Sequence, residues 1–191
     1  MSLTDKQVAQ LLQPINKKRV MRDGKGHAHV SQQDVLAHLI RVFGFGSFDT
    51  DVLNAECIFE DQTIKDGKPV PGRYTVGYRA LVRLTVRDPD GNKLCHFENG
   101  STATAQNQTR GDAHDLAYKS SISLSIKRCA IALGDQFGLS LYNKGQMSAL
   151  VMGTLVGGTV TPDGDVQADV PQQVALGNDE VDHDDDAVMP A

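Results

Sequence analysis

A chain of 191 residues, 40% hydrophobic and without tryptophan, has the length of one ordinary domain with room for a tail, and its core must rest on Val, Leu, Ile and Ala. The net charge of −5 hides a division: residues 1–150 hold all 19 Lys and Arg against 15 acids, while residues 151–191 hold nine acids and no base, so the whole-chain charge argues wrongly against an anionic partner. The N-terminus has neither a basic n-region nor an apolar run, and no stretch approaches the ~18 uncharged apolar residues of a membrane span, so a soluble, cytoplasmic protein with no membrane partner is expected.

In chain order, Thr4 is placed as the N-cap of a short helix of about ten residues. Gln7 stands at the third helical position to complete a capping box, and Pro14 stops the run. Residues 15–30 then gather Lys17, Lys18, Arg19, Arg22 and Lys25 around Gly24 and Gly26. This is either a solvated basic loop or a set of phosphate contacts, which carry no sequence code of their own. Ser31 caps a second helix in which Val35, Leu36, Leu39, Ile40 and Phe43 keep helical spacing, with Gly44 as its stop. Phe43, Phe45 and Phe48 follow closely, separated by two glycines. They read as rings sealing one end of the core or as a stacking platform for bases.

From residue 52 the period changes to alternation. Residues 52–61, 73–88 and 93–106 are strand-like, and Asp88, Pro89, Asp90 and Gly91 form a strong hairpin turn. Residues 62–72 read as a longer connecting loop. The result is an antiparallel β-meander of at least three strands. Its middle strand sets Arg79, Leu81, Arg83 and Thr85 on a wet face and Ala80, Val82 and Leu84 on a buried one. The buried face needs a covering helix. The candidate runs over residues 112–133, with small residues such as Ala117 and Ser121 permitting a close approach. Lys119, Ser123 and Lys127 stand at i, i+4 and i+8 on one side, and Arg128 is adjacent to Lys127. Residues 139–145 close the domain as a short strand or turn. The fold class is therefore α+β: short N-terminal helices, an antiparallel sheet, and one long basic helix packed on it. Residues 1–150 form the domain, and residues 151–191 form an acidic tail, read as largely disordered after Gly157.

Chemistry of the catalytic kind is not written in the chain. Cys57, Cys95 and Cys129 have no CxxC spacing and read as small hydrophobes. His27 and His29 have no further ligand at a metal-site spacing. The glycines of residues 153–164 lack a following Lys-Ser or Lys-Thr helix start, so nucleotide binding is not expected. No metal, no cofactor and no enzymatic activity are anticipated.

The long helix and its exit, SIKRCAIALGDQFGLSLYNKG at residues 125–145, are similar to the signature helix of the Rad52 superfamily of single-strand annealing proteins. There a Lys-Arg-Ala-type pair is followed by two glycines and a short Asp- or Asn-containing turn. Upstream, RVFGFGSFDTDV resembles that family's Phe-Gly-aromatic turn, RYTVGYRALVRLTVRDPDG its Tyr-Val-Gly strand and Asp-Gly hairpin, and FENGSTATA the strand entering the basic helix. The likeness covers residues 6–146. It implies a β-β-β-α Rad52-like fold assembled as a homo-oligomeric ring, with single-stranded DNA in a groove, phosphates inward and bases outward. An inner DNA site is implied at Lys127 and Arg128, with Arg19 near the family's loop arginine. Lys17, Lys18, Arg22 and Lys119 are further candidates there, because the family's next cation is replaced by Ile131. An outer site is implied at Arg73 and Arg110. The expected setting is a bacterial cytoplasm or a phage-infected host.

The implied work is DNA binding and annealing in recombination and repair, through counterion release rather than bond-making. Two alternatives stand beside it: a DNA-end-protecting or recombinase-loading mediator of the same fold, and a ring-forming interaction protein with no DNA ligand. DEVDHDDDAVMPA at residues 179–191 resembles the acidic, apolar-tipped tails by which bacterial single-strand DNA-binding proteins recruit partners, so a recombinase or a single-strand DNA-binding protein is a possible partner. The acids also read as a solubilising tail or as a DNA mimic competing for the basic groove.

Overall fold

The computed structural model describes residues 3–154, and both the tail reading and the start of the tail's acidic run lie outside the described residues. Helix α1 (Asp5–Leu11) is seven residues long and carries the full Thr4–Gln7 capping box. It is shorter than its pattern suggests because no residue of it is buried, so little packing energy extends it toward Pro14. The basic segment is more ordered than a loop. Asn16 caps a 3-10 turn at Lys17–Arg19, and two-residue strands β1 (Met21–Arg22) and β2 (Ala28–His29) pair antiparallel across the glycines. Helix α2 (Gln32–Phe43) starts where Ser31 accepts the Asp34 N–H at 3.1 Å. It ends at Gly44, whose φ of 99° suits glycine.

The three Phe residues part company at that exit. Phe43 is buried and Phe48 packs against the core, whereas Phe45 is 90% exposed between two glycines of positive φ. The ring trio therefore closes the core with two members and presents the third to solvent.

Strands β3 (Phe48–Lys65), β4 (Lys68–Arg87) and β5 (Lys93–Gln108) form one antiparallel sheet in the order β3-β4-β5. The expected long loop at 62–72 is instead a two-residue hairpin at Asp66 and Gly67, both with positive φ, pairing Lys65 with Lys68. The two prolines of that stretch, Pro69 and Pro71, are exposed positions at the start of β4. The Asp88 to Gly91 turn is present, tied by the Gly91 N–H to the Asp88 carbonyl at 3.0 Å. Three register shifts kink β3. Of the middle strand's expected wet face, Arg79 and Leu81 are exposed but Thr85 is buried. Its cross-strand neighbours Asp49 and His96, with Arg83 and Arg87 beside it on the same strand, cover it.

Helix α3 (Arg110–Ile131) crosses β4 and β5, begins two residues earlier than its pattern suggests and is capped by Thr109. The face against the sheet is a stripe at four-residue intervals: Ala113, Ala117, Ser121, Ser125 and Cys129, all buried. The stripe lets the helix lie close, and its polar atoms are satisfied locally. The Ser125 hydroxyl donates to the Ser121 carbonyl at 2.7 Å, and Cys129 Sγ donates to the Val82 carbonyl at 3.3 Å. The first half of α3 packs in a small cluster with Val76 and Ala105. The second half enters the main core with Val35, Leu39, Phe43, Leu84 and Phe137. Of the two forms expected for the closing segment, strand or turn, the structure has the turn, a 3-10 turn at Leu139–Tyr142. Of the cysteines, Cys129 is buried as expected, but Cys57 is exposed on edge strand β3. No helix among the described residues is long and apolar enough to cross a membrane.

Candidate nucleic-acid interface

The exit from α3 determines where the candidate cations stand. Gly134 and Gly138 both hold positive φ, so the chain doubles back in two 3-10 turns and lays its closing segment beside the β1–β2 hairpin. Between them lies a cavity of about 340 Å³. Its cationic wall is Arg22 from β1, Lys127 from α3 and Lys144 from the closing turn, with His27 and His29 alongside. Its floor is apolar, from Val30, Ile131, Phe137 and Leu141. One carboxylate, Asp23, reaches it. That group is engaged by His27 Nδ1 at 2.9 Å. Burial works against ionisation of Asp23, yet the hydrogen bonds from His27 and Lys25 outweigh it and hold the carboxyl below its ordinary value.

The inner-site residues expected from the sequence divide sharply. Lys127 and Arg22 share the cavity, and Arg22 is posed by its Nη1 donating to the Gly26 carbonyl at 2.7 Å. Lys17 and Lys18 are exposed on their 3-10 turn. Arg19, one residue further, turns inward: Nη2 lies 2.8 Å from the Asp34 carboxylate, Nη1 donates to Gln136 Oε1 at 3.0 Å, and its side chain is 11% exposed. Gln136 in turn donates to the Gln13 and Pro14 carbonyls. Arg19 is thus the bolt between α2, the α3 exit and the N-terminal segment, and its guanidinium is not presented to a ligand in this structure. Lys119 is held by Asp115 at 2.6 Å, two turns away from Lys127 on the same helix. Arg128 is half-buried and does not line the cavity. Its Nε is shut off from solvent with no hydrogen-bond partner among the described residues.

The outer pair stands at the other end of α3. Tyr74 pairs with Gln108 across β4 and β5, which sets Arg73 close to Arg110. Arg73 Nη1 donates to the Asn107 carbonyl at 3.4 Å, and Arg110 Nε lies 2.8 Å from Glu60. Glu60 also takes His114 at 2.9 Å, and the His114 hydrogen bond, followed by that from Arg110, holds its carboxyl below the ordinary range. Arg110 therefore carries its own counter-ion.

Sequence reasoning missed Lys144, His27 and His29 as members of the cavity. Lys144 had a local signal: it lies between Asn143 and Gly145 with φ of 53°, a left-handed position that exposes its side chain on a turn. Only the folding back of the closing segment shows that it shares a cavity with Ile131, the position where another cation was expected. No group of three or more His, Cys, Asp and Glu among the described residues is placed to hold a metal ion.

An antiparallel sheet of three strands running directly into one long covering helix, with a cation-walled cavity at the helix exit, defines the class: an α+β domain of β-β-β-α order suited to an anionic ligand. The family follows from the sequence match. Residues 3–152 match the model of the Rad52/22 family double-strand break repair protein, and the chain belongs to that family. It is similar to the DNA repair and recombination protein RAD52 of Eremothecium gossypii, 28% identical over 111 residues, which cover 58% of this chain and 23% of that protein. The same-named proteins of Kluyveromyces lactis and Candida glabrata are 28% and 26% identical over 54% and 58% of this chain. The match spans about a fifth of the length of these relatives.

Proposed function

We propose that this chain is a single-stranded DNA-binding and annealing protein of homologous recombination and double-strand break repair, working without a cofactor and without bond chemistry. One observation carries the reading: Arg22, Lys127 and Lys144, from three separate parts of the chain, converge on one cavity that a single carboxylate reaches. Cations so gathered neutralise consecutive phosphates and release counterions, giving tight, sequence-independent and salt-sensitive binding. With the backbone against the protein, the bases remain outward and extended, and annealing needs only that two strands meet with bases preorganised. Lys144 takes the part that Ile131 leaves open. Arg73 and Arg110 form a second, weaker backbone contact.

Assembly into a homo-oligomeric ring extends the groove from one subunit to the next. Strand β3 supports this: it is an edge strand of 18 residues whose outer edge pairs with no strand among the described residues, with Val52, Ile58 and Ile64 exposed along it. Such an edge is a template for a second copy.

The test is Lys127→Ala combined with Arg128→Ala, read by anisotropy of a fluorescent oligo(dT) and by electron microscopy of the protein. The expected outcome is loss of binding with the oligomer intact. Retained affinity in an intact oligomer would refute the site. An annealing assay with complementary oligonucleotides then separates annealing from end protection or recombinase loading.

A further inference from the structure

The segment that leads into the acidic run is fixed, at residues 150 and 151, to the same turn that contributes Phe137 and Gly138 to the cavity. Asp135, fully buried in the turn after α3, accepts the Leu150 and Val151 N–H groups at 2.9 and 3.0 Å. Three residues later Gly138 lines the cavity, and the Gly138 N–H donates to the Asp135 carbonyl at 3.0 Å. The clip therefore holds residues 150 and 151 within one short turn, along the chain, of a residue of the cavity wall. Residues 155–191 follow, with nine acids and no Lys or Arg.

We infer that residues 178–191 of this chain, NDEVDHDDDAVMPA, dock in the cavity between the β1–β2 hairpin and the α3 exit and compete there with the DNA backbone. The complementarity has two parts. The run from Asp179 to Asp186 meets the wall of Arg22, Lys127 and Lys144. The apolar residues Val188 and Met189 match a floor made of Val30, Ile131, Phe137 and Leu141. A bare phosphate chain uses the first feature but not the second, so the cavity is better matched to an acidic, apolar-tipped peptide than its cations alone require. Tethering makes modest affinity sufficient. Residues 152–177 join the clip to the segment, and a tether within one chain holds a segment at an effective concentration on the order of millimolar. The docking itself stands on the cavity and the clip, whereas its consequence for DNA rests on the proposed function.

Two measurements on the full chain test this. In the first, the eight Asp of residues 155–191 are changed to Asn, with Glu180→Gln, and a fluorescent synthetic peptide of residues 178–191 is titrated onto that protein. Saturable binding is expected. Arg22→Glu with Lys144→Glu should abolish it, and Arg83→Glu with Arg87→Glu on the open sheet face should not. Both positions of the cavity variant are exposed, and the milder Arg22→Gln with Lys144→Gln serves if charge reversal perturbs the fold. No peptide binding, or binding indifferent to the cavity variants, overturns the docking. In the second, the neutral-tail chain should bind oligo(dT) about tenfold more tightly than the native chain at ~50 mM salt, the two converging as salt screens the tail. A docked peptide with unchanged DNA affinity supports the docking and overturns the placement of DNA in this cavity.

Discussion

The cavity at the α3 exit and the open face of the sheet both gather cations, and they differ in what stands beside those cations. On the sheet, Arg79, Arg83 and Arg87 follow one another along β4, and each has a carboxylate on the neighbouring strand. Arg79 meets Glu56, Arg83 lies 2.6 Å from Glu98, and Arg87 lies 2.7 Å from Asp49. These are cross-strand ladders that cancel their own field. In the cavity lined by Arg22, Lys127 and Lys144, the one lining carboxylate among the described residues is Asp23, which His27 engages. The same residue types thus give a ladder of ion pairs in one region and a candidate anion site in the other. The number of cations does not distinguish the two regions; the carboxylates set against them along β3 and β5 do.

The largest expected effect follows directly. Arg22→Glu with Lys144→Glu should weaken oligo(dT) binding by about 100-fold at low salt and reduce the slope of log affinity against log salt by about two. Arg83→Glu with Arg87→Glu should change affinity less than about threefold, and equal losses at the two regions would break the distinction between them.

Arg19 sharpens it from the other side, as a cation of the basic segment that behaves like neither group. Arg19→Ala should cost about 2 kcal/mol of folding stability in urea titrations, because it removes the inward guanidinium that joins Asp34 to Gln136, leaving Asp34 only the more exposed Arg41 at 3.2 Å and Gln136 Oε1 only the Gln10 amide at 3.3 Å. Lys17→Ala and Lys18→Ala, two and one residues away, should stay within about 0.5 kcal/mol. A stable Arg19→Ala protein with weakened DNA binding would return Arg19 to the ligand site.

The third effect is a pH dependence beside that bolt. His38 is buried edge-on against Phe137 with both ring nitrogens unpartnered. Burial, then the charges of Arg19 and Arg41, pull its pKa down to about 4, against the smaller opposing pulls of the Asp34 carboxylate and the nearby Gln136 amide. A folded pKa below the unfolded value means that folding favours the neutral ring. That stability is fully present above about pH 6.5 and is lost as pH falls toward 4, by at most about 3 kcal/mol. His38→Leu should flatten this part of the stability profile, and an unchanged profile would assign the acid sensitivity elsewhere. The smallest effect is expected at the cross-strand ladder: Arg79→Ala should shift the melting free energy by about 0.5 kcal/mol or less, since the pair is exposed.

Much of the fold was legible because its signals are local. Thr4 and Ser31 cap within three residues, Gly44 needs only its own backbone freedom, and the alternation of β4 is a property of consecutive side chains. Where reading failed, local composition pointed the wrong way. Residues 62–72 read as a loop, but the positions of Pro69 and Pro71 on an exposed strand start cost no needed hydrogen bond, and Asp66 with Gly67 alone makes the turn. In the candidate site, Lys127 and Arg22 could be picked as cations of the right kind, and the order of motifs pointed to the family that the match over residues 3–152 shows.

By itself, then, the sequence determined the α+β class, the order of strands before the long helix, the capped helix starts and the division of charge between residues 1–150 and 151–191. The tertiary structure alone decided which cations stand together and which are neutralised. Arg19 finds Asp34 fifteen residues away, Arg110 finds Glu60 fifty residues away, and Lys144 reaches the cavity of Lys127 only because two glycines fold the chain back. The physical reason is range. Capping and periodicity act over one turn of chain, whereas an ion pair depends on a few ångströms of separation that packing sets, and no local pattern records that distance.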